Sequence, residues 1–481
     1  MVKELEPRLA TLIKAAHVDS SAEAEQRVQA TRLELLAADA WWSEFAQAMA
    51  QKYPISEGQS YPLERVQAVL GEKQAIVGWL DFKVKKDEYV SWAYVVRHQG
   101  PVTWVRLPGL AEAVSGSPFD LARACRNALQ PAEDPDTAVA AFSKARIQPP
   151  FSVLDGIEDL IVIPTGAMAT IPVEALIDEQ GRRLVDWFTI SYAPSATICT
   201  WLREEHRESK PTNDRQISSG KALLLGDPPF TPAQRDAMMG EGSTVAMATM
   251  VAVDDAVLRR AVVGDEGALA ALPRLRNTRT EVRAIADLSG GATVLLGPEA
   301  SEQAIVELAE SGDLGRYRTI HVATHALVDQ EWPERSCLVL SRVDLPDAYE
   351  AAKRGERIYD GRLTVQEILQ EWKLDADLVT LSACETGLGQ DVRGEGLVGF
   401  AHAFLQAGAR SLLVSLWKVD DRATSLLMTQ FYENLWHRKM SKVAALREAK
   451  AWLREYVDES GQRPYAHPYF WSAFVLIGER D

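Results

Sequence analysis

Apolar residues at helical spacing open the chain. Leu5, Leu9, Leu12 and Ile13 form one stripe, and Leu33, Leu35, Leu36, Trp41, Trp42 and Phe45 form a broader one. This spacing predicts helices over roughly the first 55 residues, broken at Val18-Asp19-Ser20-Ser21 and ended by Pro54 and the polar residues after it. From Leu63 the pattern becomes mixed. Residues 79–84 and 89–97 alternate as antiparallel strands do, 98–101 reads as a hairpin turn and 103–107 as the returning strand. Helical spacing then covers 118–129 and 136–146, and 159–164 is a continuous apolar run, the mark of a buried strand. A polar, turn-rich stretch spans 205–220.

Beyond that stretch, strand and helix patterns alternate. Strands are predicted at 222–225, 293–296, 318–323, 378–381, 411–416 and 470–477. Helices are predicted at 302–309 (introduced by Ser301), 363–371, 396–407, 423–437 and 443–456. Strands separated by helices imply a mostly parallel sheet covered on both faces. The expected organisation is an N-terminal helical extension over 1–60, a non-catalytic α/β module over 61–210 and a catalytic domain over 211–481.

Composition narrows the function more than the fold. At 481 residues and 47% hydrophobic, the chain can bury large cores without a metal or disulfide staple. The four cysteines stand far apart with no C-x-x-C pair, so neither a zinc ribbon nor a disulfide framework is expected. A formal net charge of -16 argues against direct nucleic-acid binding, which needs a basic face. No apolar run reaches the ~20 residues needed to cross a bilayer, and no signal-peptide pattern opens the chain; a cytoplasmic location is expected.

Two segments carry candidate chemistry, Ile320-His321-Val322-Ala323-Thr324-His325-Ala326 and Leu381-Ser382-Ala383-Cys384-Glu385-Thr386-Gly387. In each, a strand-like run stops at a potentially reactive side chain. Parallel sheets present catalytic groups in this way, because strand ends converge on one edge. A thiol brought beside an imidazole there makes a nucleophile with its base. The two histidines have different roles. Four residues apart on a strand they are about 13 Å apart, too far to serve one cysteine. His321, inside the apolar run, reads as a satisfied core residue. His325, at the strand's exit, is placed to present an exposed imidazole to Cys384. The amide N–H groups of Ala326 and Cys384 could form an oxyanion hole. Two signals are set aside: Gly394-Glu395-Gly396-Leu397-Val398-Gly399 lacks the strand that must run into a dinucleotide-binding turn, and Ser382 reads as structural.

These motifs occur in an ordered series. Pro164-Thr165-Gly166, Ile171 to Leu176 and Ala193-Pro194-Ser195 come first. The histidine segment follows, then Ser336-Cys337-Leu338-Val339-Leu340, Asp360-Gly361-Arg362-Leu363-Thr364 and the cysteine segment. Gly394 to Leu397, Ala407-Gly408-Ala409-Arg410, Ser415-Leu416-Trp417, His467-Pro468-Tyr469 and Phe470 to Phe474 complete it. The series, over roughly residues 140–479, resembles the CHAT family of caspase- and separase-like cysteine peptidases. One departure is Ala326, where the wider clan commonly has glycine; alanine serves unless a positive φ is needed.

The resemblance implies a caspase-like α/β fold with a degenerate upstream module, His325 as base and Cys384 as nucleophile, and no cofactor or metal. It implies that Ser415, Trp417, Asp420 and Asp421 line the substrate pocket, the acidic pair favouring a basic P1 side chain. Methionine at P1 competes with that reading, since Asp421 could instead cap the next helix and Lys418 could neutralise Asp420. Partners implied are a protein substrate and an activating protein, in bacterial defence or programmed cell death. A catalytically silent interaction scaffold and an acyltransferase using the same dyad are the alternatives. The charged segment 344–360 is either a lid over the site or a surface insertion.

Overall fold

The computed structural model describes residues 60–85, 88–108, 117–130, 135–208, 221–240, 255–329, 332–382, 395–417 and 419–481. The helices expected before residue 60, Cys384 and Lys418 lie outside these residues. Pro62–Asp481 forms one compact unit.

At its centre is one eleven-stranded sheet. Its strands are β1 (Gln74–Lys85), β2 (Glu88–Arg97), β3 (Thr103–Arg106), β4 (Asp159–Ile163), β5 (Thr189–Tyr192), β6 (Ala222–Gly226), β7 (Thr293–Leu296), β8 (Thr319–Ala323), β12 (Leu378–Leu381), β13 (Ser411–Ser415) and β14 (Phe474–Gly478). A separate small sheet is made by β9 (His325–Leu327), β10 (Cys337–Val339) and β11 (Arg362–Thr364). Across the large sheet the order is β3-β2-β1-β4-β5-β14-β13-β12-β8-β6-β7. The hairpins β1–β2 and β2–β3 and the pair β13–β14 are antiparallel. Pairing is parallel for β1–β4, β4–β5, β12–β13, β12–β8, β6–β8 and β6–β7. The α/β class with a mostly parallel sheet is therefore as expected. The parts on either side of residue 210 share this sheet, joined where Ile477 of β14 meets Tyr192 of β5.

The burial of each strand follows its neighbours. β6, β8, β12 and β13 are buried along their whole length, as strands covered on both faces must be. β1 changes character midway. Gln74–Gly78 pairs with β4 and, from Ala75 on, also with β2, and Ala75, Ile76 and Val77 are buried there. Past Gly78 only β2 remains beside it, and Phe82 and Val84 are exposed. The alternation that predicted a strand from 79 thus belongs to the projecting half; the buried half has no alternation to read.

Helices start where side chains can satisfy open backbone N–H groups. Ser301 caps Glu302–Glu310 through Ala304 N. Thr364 and Glu367 form a capping box on Val365–Glu371, so β11 passes directly into that helix. On one face of the sheet, helices Asn277–Ser289 and Asp421–Tyr432 pack together, with Lys442–Glu455 beside the second. Val365–Glu371 packs with Glu395–Ala407, where Trp372 meets Phe404 edge to face. The last expected strand is shorter than read: Pro468–Trp471 is a helical turn, with Tyr469 N donating to His467 Nδ1, and β14 begins at Phe474.

Candidate active site

β8 and β12 are parallel neighbours in register, from Leu378 beside Thr319 to Leu381 beside Val322. Ser382 N donates to Val322 O at 3.0 Å and carries the ladder one residue further. The two strands therefore end at the same edge of the sheet. His325 follows β8 by two positions, and Cys384 follows Ser382 by two in sequence.

Thr324 marks the departure from the large sheet: its hydroxyl donates to Val339 O. His325, Ala326 and Leu327 then pair antiparallel with Val339, Leu338 and Cys337. β10 pairs in turn with Arg362, Leu363 and Thr364 of β11. The motifs that follow the histidine in sequence thus form the small sheet that holds it.

The His325 side chain is buried, not exposed as the strand-exit position suggested. Pro273 and Phe230 lie against it. Pro273 O lies 2.7 Å from Nε2, and the Phe230 ring centroid lies 5.4 Å from the imidazole centroid at 49°. A carbonyl oxygen can only accept, so Nε2 carries the hydrogen and, in the neutral ring, Nδ1 carries the lone pair. Nothing near His325 in sequence signals this arrangement, because Pro273 and Phe230 come from segments before β8.

His321 is a core residue, as expected. Its Nε2 lies 2.8 Å from Glu281 Oε1 and its Nδ1 3.3 Å from the Tyr432 hydroxyl, which also meets Thr380 Oγ1 at 2.8 Å. All four side chains are buried, so the network is fully enclosed and binds two helices to the sheet. Ser382 is buried too, consistent with its structural reading.

The expected pocket segment turns out to be mostly inward-facing. Ser415 Oγ donates to Trp417 O at 2.6 Å, and Trp417 Nε1 donates to Tyr469 O at 3.1 Å; both residues are buried. Asp420, rather than Asp421, is the N-cap of Asp421–Tyr432, its Oδ1 accepting from Arg422 N at 3.0 Å and Ala423 N at 2.9 Å. Leu416 lines a small apolar cavity of about 40 Å³ with Pro164, Ala193, Pro194 and Val475, where the two halves of the sheet meet. From the N-terminal half, Arg126 Nη2 reaches Leu416 O at 3.5 Å.

The other three cysteines are sealed. Burial pushes the Cys125 and Cys337 thiols up to about 12 and raises that of Cys199. Among the described residues no cluster of histidine, cysteine and carboxylate side chains could hold a metal, and no helix is long and apolar enough to cross a membrane.

The fold is thus an α/β sheet protein with a buried, tautomerically fixed histidine at the edge where two parallel strands end. The CHAT domain model matches residues 138–479, and the chain belongs to the CHAT domain family. Over 116 residues it is 35% identical to tetratricopeptide repeat protein 28 of Mus musculus and 34% identical to that of Homo sapiens. Each match covers 24% of this chain and 4% of the relative. Among solved structures it is similar to the Arg-specific cysteine proteinase gingipain R (9% identity, TM-score 0.39, 75% of this chain and 74% of that one). It is also similar to the Saccharomyces cerevisiae separase–securin complex (10% identity, TM-score 0.43, 86% of this chain and 30% of that one).

Proposed function

We propose that this chain is a cysteine endopeptidase that uses Cys384 as nucleophile and His325 as base. The observation that carries the reading is the in-register ending of β8 and β12 at one sheet edge, with the His325 hydrogen held on Nε2 by Pro273 O. A free thiol, with pKa near 8.5, is only a few per cent ionised at neutral pH and needs such a base. His325 Nδ1 takes the Cys384 proton and the sulfur attacks the scissile carbonyl. The amides of Ala326 and Cys384 receive the oxyanion. His325 then returns its proton to the leaving amine, and water hydrolyses the thioester.

The substrate is a protein segment bound along the residues after β13, with Ser415 and Trp417 shaping the pocket from within. Asp420 and Asp421 favour a basic P1 side chain, while Arg126, whose guanidinium reaches Leu416 O, works against it. A panel of fluorogenic peptides differing only at P1 measures the balance; cleavage after Asp as fast as after Arg ends the basic-pocket reading. Activation by a protein partner and a role in bacterial defence follow from the family resemblance.

The decisive test needs no known substrate. With Cys125, Cys199 and Cys337 buried and their thiols raised, iodoacetamide should modify native protein at Cys384 alone, and His325→Ala should slow that modification at pH 7. Equal rates with and without the imidazole would falsify the dyad. Retained partner binding with no such reactivity would favour the interaction scaffold.

A further inference from the structure

We infer that the ion pair between Asp227 and Arg274 is the positioning device for the His325 imidazole; its catalytic meaning rests on the peptidase reading above. β6 ends at Gly226, pressed so close to helix Asn277–Ser289 that a Cβ there would lie 2.8 Å from Val282 Cγ2 and 3.0 Å from Thr278 O. The next residue, Asp227, turns left-handed at φ 54 and is fully buried. Aspartate is among the few residues that tolerate this conformation. Its backbone N–H donates to Thr278 Oγ1 at 2.9 Å.

The carboxylate is gripped on both oxygens. Arg274 Nε meets Oδ1 at 2.7 Å and Arg274 Nη2 meets Oδ2 at 2.8 Å, while Arg279 Nε meets Oδ2 at 2.6 Å. A two-point guanidinium–carboxylate contact fixes direction as well as distance. Arg274 directly follows Pro273, whose carbonyl holds His325 Nε2, and Phe230, three residues after Asp227, packs on the same ring. One buried carboxylate therefore anchors both the Pro273 carbonyl and the Phe230 ring beside the imidazole. Stability alone does not call for it, since apolar replacements of buried ion pairs are often as stable. A hydrogen bond from Nε2 also strengthens when the ring becomes a cation, so the same contact favours the state reached after proton transfer.

The test uses the full chain labelled with ¹⁵N-histidine, the His325 signals being identified by their loss in His325→Gln. The expected wild-type signature is one tautomer, hydrogen on Nε2. Arg274→Lys keeps the charge and loses the fork. It should populate both tautomers and lower kcat on a fluorogenic peptide cleaved by the wild type by about 10- to 100-fold, with KM within about twofold. Arg279→Gln, which touches Asp227 without adjoining Pro273, should leave the tautomer unchanged. Asp227→Asn should act like Arg274→Lys, and should it fail to fold, the lysine variant decides. A folded Arg274→Lys protein whose His325 stays wholly in the Nε2–H form, or a mixed tautomer in the wild type, overturns the inference. Because the tautomer is read without substrate, failure of the peptidase reading leaves this readout intact and distinguishable.

Discussion

Asp81 with Arg146 in the N-terminal half, and Asp227 with Arg274 in the C-terminal half, are buried ion pairs at places where the sheet gives out. Asp81 lies on β1 just past the end of β4. Its Oδ1 accepts from Arg146 Nη1 at 2.7 Å and from the Ser91 hydroxyl, and the turn after β4 is tied to the same strand by Thr165 Oγ1 donating to Trp79 O. No imidazole or thiol is among these partners. That pair holds a helix and a turn onto the sheet. Asp227 and Arg274 instead hold a carbonyl against the Nε2 of a histidine. The same chemistry is structural in one half and has a site to shape in the other. The difference lies in what stands next to the arginine in sequence: Pro273 beside Arg274, Ile147 beside Arg146.

The largest effect that would break this comparison is on cleavage. Cys384→Ala and His325→Ala should each lower cleavage of a responsive peptide by more than about a thousandfold, with the unfolding midpoint of Cys384→Ala near wild type. Substitutions at Asp81 or Arg146 should do the reverse. Arg146→Met strands a buried carboxylate and should cost on the order of 3 kcal/mol in urea unfolding, with kcat of the folded fraction unchanged. A fall in kcat there would make the two halves alike.

A third effect is pH-dependent. Glu302 is buried against the loop before β11, accepting from Gly361 N at 2.9 Å and Asp360 N at 3.1 Å. Burial, above all, raises its carboxyl to about 7. Its folded pKa exceeds the unfolded value near 4.3, so the folded state binds the extra proton and stability falls as pH rises between the two values. Comparing unfolding at pH 5 and pH 8, Glu302→Gln should remove on the order of 2 kcal/mol of that decline; an unchanged slope rejects the assignment. The smallest effect concerns the helix after β13. Asp420→Ala should cost about 1 kcal/mol through the lost cap, and Asp421→Ala less, because Asp420 is the residue at the cap, accepting from the first turn's amides. If Asp421→Ala also alters P1 preference while Asp420→Ala does not, the two aspartates divide structure from specificity between them.

Much of the C-terminal half was legible along the chain. β6, β8, β12 and β13 each coincide with a short apolar run, because strands inside the sheet and covered on both faces must be hydrophobic. The His325 and Cys384 segments stood out because each run stops abruptly at a reactive side chain. β9, β10 and β11 were not read as strands: at three residues each they are too short to show a period. Helix Asn277–Ser289, which meets both β6 and helix Asp421–Tyr432, is likewise not among the elements the pattern predicts. The alternative cap reading falls on Asp421, one residue late, because Asp420 and Asp421 are chemically identical and only the backbone turn separates them.

The order of motifs, the alternation of strand and helix and the identity of the thiol and imidazole were determined by the sequence alone, since each is a local property of neighbouring residues. What satisfies the core histidine, which ring nitrogen of His325 carries the hydrogen and which arginine braces it were decided only by tertiary structure. Those depend on Glu281, Pro273 and Asp227, residues 40 to 98 positions from the histidines they serve, and only folding brings such groups within hydrogen-bonding reach.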